Sequence, residues 1–209
     1  MKRDQVLEAL HVMNECGVGH KWISHVDRDT TAEQLWWTCV DARQLLWVAY
    51  KLGVDNYTVF NAVLQCAESA YTLWAATFGN DDEVGRAMSY ARHWVASRAE
   101  PDDCVAIDIA DAVNEAYCRA QDNPLTHSIA PLACAVARMV RLTGYNEEDR
   151  QLLANSAHAA ITSLMILFDP RRNVFMHSEL PHKVRAAIRW SDLTETAEYK
   201  RLLNTTSNW

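Results

Sequence analysis

Between Asp102 and Asp122 the chain carries Asp102, Asp103, Asp108, Asp111, Glu115 and Asp122, with Arg119 as the only base. Asp108, Asp111 and Glu115 stand at i, i+3 and i+7, a spacing that places three carboxylates on one face of a helix. Carboxylates that split a glycosidic bond or hold metal ions need a second carboxylate pair brought in from another element, and no such partner pair is evident. What remains for this face is solvation, or attraction of a basic partner whose encounter it would accelerate.

Eight histidines invite a metal or acid-base reading. His20 and His25 are five apart, as are His177 and His182, whereas two ligands on one helix face need a separation of three or four. Neither pair is a helix-borne metal site, although Asp27 and Asp29 lie near the first. His93 beside Trp94, and His158 among alanines, read as partly buried helix residues. Six cysteines (Cys16, Cys39, Cys66, Cys104, Cys118 and Cys134) are well separated, with no C-x-x-C pair. They read as reduced, mostly buried thiols, because free cysteine packs as a small hydrophobe in a reducing compartment. The chain has neither a G-x-S-x-G nucleophile turn nor a G-x-x-x-x-G-K-[ST] phosphate loop. No cofactor is expected.

Tryptophan is frequent, with eight residues. Trp36, Trp47, Trp74 and Trp94 fall at helix positions that suit a core. Trp36 and Trp37 are adjacent and point about 100° apart on a helix, so one of them faces outward. Trp37, and Trp22 in a loop, become candidate binding anchors, since exposed aromatics dominate many interfaces.

The elements that position these residues follow from composition and punctuation. Of 209 residues 49% are apolar and 22% charged, which are globular values. Six Gly and five Pro make about 5% of the chain, against about 12% on average, too few for a turn-rich β sandwich. The fold class is therefore all-α, a single-domain antiparallel bundle of seven to nine helices spanning 1–209, with 170–209 as a C-terminal extension. Apolar spacing marks a helix over 3–15. Thr30 with Glu33 forms a capping box for a helix to Lys51, and Asp55 caps a helix of some 23 residues with Val59, Val63, Cys66, Ala70, Leu73 and Phe78 as its inward stripe. The acidic run Asn80–Glu83 opens the next, with Val84, Met88, Ala91 and Val95 inward. Further helices run from Pro101 to Gln121, from the turn at Asp122, Asn123 and Pro124 to before Gly144 with Pro131 within that span as a residue that can delay the start, from Asn146 to Phe168, over 182–191 and over 194–203.

Residues 36–54 (WWTCVDARQLLWVAYKLGV), then Cys66-Ala67 and the helix around Trp94, resemble an all-helical family of immunity proteins found beside bacterial polymorphic toxins, with members also among uncharacterised bacteriophage proteins. The resemblance rests on Cys39, Leu45-Leu46-Trp47, Lys51-Leu52-Gly53, Cys66-Ala67 and Trp94, about residues 32–99. It implies a non-enzymatic protein-binding module, an immunity-like protein or a phage-encoded, anti-defence inhibitor that blocks a bacterial protein. The alternatives are a small helical metal-assisted hydrolase and a nucleic-acid-binding regulator.

A net charge of −7 speaks against a general nucleic-acid binder. From Asp169 onward seven bases face five acids, too small an excess to reverse that. The N-terminus has no apolar stretch of secretory type, and the longest apolar run, Leu164 to Phe168, is far too short for a bilayer. The expected setting is the cytoplasm, with a bacterial protein as partner, one with a basic surface fitting best. Self-association is left open.

Overall fold

The computed structural model describes residues 26–79, 82–98, 102–123, 130–141, 157, 159–164 and 174–206. These are predominantly helical, with no strand among them, so the chain is all-α. The expected helix over 3–15, the histidines His20, His25 and His158, and Trp22 lie outside the described residues.

The segment expected as one helix up to Lys51 is two, α1 (Ala32–Thr38) and α2 (Ala42–Lys51). The cap of α1 is Thr31, one residue later than the sequence suggested. Gln34 N–H donates to Thr31 Oγ1 at 3.1 Å, and Thr31 N–H donates to Gln34 Oε1 at 2.8 Å, a reciprocal capping box. The break arises because Cys39 is extended and the Asp41 carboxylate accepts from Arg43 N–H at 2.9 Å, starting a new helix where the sequence pattern implied continuation. Arg43 also pairs with that carboxylate through its guanidinium at 2.6 Å.

Gly53 follows α2 at φ 80°, a left-handed position that suits glycine. Asp55 caps the 23-residue α3 (Asn56–Phe78), as its place before the apolar run implied. Val59, Val63, Cys66 and Ala70 are buried. Trp74, four residues after Ala70, carries that stripe on, which leaves Leu73 and Phe78 at 45% and 41% exposure, outside the core where the spacing had put them.

Asp82 then joins two helices. Its carboxylate caps α4 (Glu83–Ser97) by accepting from Gly85 N–H at 2.8 Å, and it also accepts from Trp74 Nε1 at the end of α3. Val84, Met88 and Ala91 face inward as expected, and Trp94 stacks on Tyr57 of α3 with ring centroids 4.2 Å apart.

α5 (Asp103–Asp122) packs most extensively against α6 (Ala130–Arg141), which carries Pro131 in its first turn, where the missing N–H costs little. Helical residues 159–164 add Ile161 and Leu164 to the core.

The C-terminal elements are α7 (Val174–Ala187), α8 (Trp190–Thr194) and α9 (Ala197–Thr206): α7 is longer and starts earlier than the helix expected over 182–191, α8 is an additional short helix, and α9 is the helix expected over 194–203 moved three residues on. α7 runs through Pro181. Leu180, Val184 and Ile188 are buried, and α7 packs on α3 and α2, so burial along α7 outweighs the hydrogen bond that proline removes. Buried side chains from α1 through α9 form one contiguous cluster.

Candidate functional site

α5 presents the acidic face that the spacing implied. Ala106, Ala110, Val113, Ala116 and Ala120 are buried at helical intervals, and this fixes which side looks outward. Asp108, Asp111 and Glu115 are all exposed on that outer side. Two aliphatic side chains share the exposure: Val105 at 41%, three residues before Asp108, and Ile107 at 52%, four residues before Asp111. The face is therefore both anionic and partly apolar.

Neighbouring helices modify its charge in a way that α5 alone does not reveal. Asp111 accepts from Arg141 of α6 at 2.9 Å, and Arg119 reaches Glu83 of α4 at 2.8 Å. The Glu83 carboxyl is held below its ordinary range, first by a bond from its own backbone N–H at the start of α4 and then by Arg119. Among the described residues no ion pair engages Asp108 or Glu115, so the unpaired negative charge of the face concentrates there.

Trp37 is 52% exposed while its neighbour Trp36 is 2% exposed, the split that adjacency demanded. Val40, at 81%, extends the apolar surface at the α1–α2 break. No extensive contact joins α1 to α5 among the described residues, so Trp37 and the carboxylates are two separate surfaces. Of the other predicted core tryptophans, Trp74 and Trp94 are buried and Trp47 is half-buried.

The cysteine and histidine expectations need correction. Cys39 and Cys66 are buried, but Cys134 is only half-buried and Cys104 and Cys118 are exposed. Cys104 and Cys118 lie on the outer side of α5, because helical phase outranks the apolar character of sequence neighbours. Burial pushes the Cys66 thiol up to about 12 and the Cys39 thiol up to about 11, so neither is a nucleophile at neutral pH. His93 is exposed rather than partly buried, and His182 is exposed too. No group of three or more His, Cys, Asp or Glu suited to a metal ion occurs among the described residues, and no helix among them is long and apolar enough to cross a membrane.

One concavity was not legible in the sequence. A cavity of about 440 Å³ opens between α5, α6 and residues 159–164, lined by Tyr117, Gln121, Ala130, Pro131, Cys134, Arg138, Thr162 and Ser163. Its lining comes from three stretches well apart in the sequence, 117–121, 130–138 and 162–163, and no local spacing encodes such a meeting. Comparison with protein-family models, with curated proteins and with solved structures finds no match for this chain.

Proposed function

We propose that this chain is a non-enzymatic protein-binding module, immunity-like or a phage-encoded inhibitor, which occupies a basic surface on a bacterial protein. The observation that carries this reading is the outer face of α5, where Asp108 and Glu115 stand exposed and unpaired among the described residues beside exposed Val105 and Ile107. Carboxylates of this kind speed the approach of a basic partner, and exposed aliphatic groups on the same helix gain by being covered. Trp37 with Val40 is a second anchor, and Trp22 completes the set. The scaffold we infer is a single-domain antiparallel bundle, in keeping with the short connections between α2 and α3, α3 and α4, and α4 and α5. The resemblance of residues 32–99 to immunity proteins supports the same class.

The test is the paired substitution Asp108→Lys with Glu115→Lys, which leaves the Asp111–Arg141 pair in place. Exposed helical positions tolerate exchange to within roughly 0.5 kcal/mol each, so circular dichroism and thermal midpoint should hardly move. Association with a partner captured from a bacterial lysate should slow about tenfold or more at low salt. An unchanged rate in a folded variant would remove the α5 face from the interface and leave Trp37 as the anchor to examine.

A further inference from the structure

The cavity beside α5 has a polarity that points to a class of small molecule. It follows α6 from Ala130 to Arg138, eight residues or about 12 Å of helix. Its volume of about 440 Å³ lies in the range of ligand pockets. Ala130 and Pro131 are too small to fill the space at one end. Ser163 is buried and its hydroxyl is already used, donating to the Ala159 carbonyl at 3.0 Å and lying 3.6 Å from Cys134 Sγ. That part of the wall therefore asks for an apolar group.

The other end is different. Arg138 is exposed at the rim, and its guanidinium carries five N–H donors and a permanent positive charge. The other two arginines of α5 and α6 are engaged, Arg119 with Glu83 and Arg141 with Asp111, whereas no ion pair among the described residues engages Arg138. Tyr117 lines the same cavity with a phenolic hydroxyl. An apolar trough with a planar cation at one end matches a carboxylate that has an apolar body, because a carboxylate accepts two parallel bonds from guanidinium.

We propose that this cavity binds a small amphipathic carboxylic acid, with its carboxylate on Arg138 and its hydrocarbon part running toward Ala130 and Pro131. The site is separate from the outer face of α5.

Calorimetric titration of the full chain with decanoate, below its micelle concentration, tests this against decanol and decyltrimethylammonium. Decanoate should bind saturably at one equivalent, and at least fivefold more tightly than either comparison compound. Arg138→Gln, an exchange at an exposed position, should weaken decanoate at least fivefold and leave decanol unchanged. Bound decanoate should slow iodoacetamide labelling of Cys134, read by peptide mass spectrometry, while Cys104 labels at its free rate. Absence of saturable decanoate binding would overturn the proposal. So would equal affinity in folded R138Q, equal affinity for the ammonium compound, or protection of Cys104 in place of Cys134.

Discussion

Arg185 Nη1 donates to the Cys39 carbonyl oxygen at 2.8 Å and to the Trp36 carbonyl oxygen at 3.2 Å, so a side chain of α7 caps the C-terminal end of α1. Carbonyls left open where a helix stops need such a partner when they are shielded from water. The contact explains how the chain tolerates a break between α1 and α2 next to buried Trp36 and Cys39. Arg185→Ala should lower unfolding free energy by about 1–3 kcal/mol, the cost of leaving such acceptors unsatisfied. Urea denaturation measures it, and Arg185→Lys, with a single compact cation in place of the fork, should recover only part of the loss.

The adjacent tryptophans make a paired test of burial. Trp36→Ala should cost about 3–5 kcal/mol as a core truncation, whereas Trp37→Ala should stay within about 0.5 kcal/mol. Acrylamide quenching gives the same answer independently, since loss of Trp37 should lower the quenchable share of the emission and loss of Trp36 should raise it. Equal costs for the two would contradict the orientation of α1.

The thiols divide in the same way. At pH 8 in native protein, a disulfide reagent should label Cys104 and Cys118 fast and leave Cys39 and Cys66 unmodified until unfolding. The elevated thiols also bear on alkaline stability. Between about pH 9, where an unfolded thiol ionises, and about 11 to 12, the folded state holds protons that the unfolded state has released. Stability must then fall as pH rises through that window, and the part due to these groups is fully present below it. Replacing Cys66 by Ala should make the pH 9–11 decline shallower than in the unmodified chain, a difference that denaturation series at fixed pH values can resolve.

Glu83 has the opposite sign. Its carboxyl is depressed by its own backbone N–H and by Arg119, so its contribution is present above the ordinary carboxylate range and disappears on acidification. The pair is partly exposed, so Glu83→Gln should cost no more than about 1 kcal/mol at pH 7 and nothing measurable at pH 3. A cost that persisted at pH 3 would point to packing, not charge.

Much of this architecture is written locally. Asp55 before an apolar run, Gly53 and Gly79 after one, and Asp82 ahead of Val84 set helix ends by capping chemistry that acts over three or four residues, and the structure follows them. The α1–α2 break was hidden because Arg185, about 150 positions away, helps to stabilise it. The course of α7 through Pro181 was hidden for a similar reason: only burial against α3 and α2 favours it. The exposure of Asp108, Asp111 and Glu115 could be read from helical phase, but the Arg141 that offsets Asp111 could not. The cavity depends on the meeting of three separate segments, and its lining residues show no spacing of their own.

The packing of α7 on α2 and α3 also bears on the order of events during synthesis. Residues 42–78 leave the ribosome about a hundred positions before the side chains that cover them. Until α7 arrives, part of the apolar surface of α3 has no native cover. Nascent chains halted between α6 and α7 should therefore recruit chaperones or aggregate, and the final step of folding should be the arrival of that helix, because contacts between distant segments carry the largest loop-closure entropy.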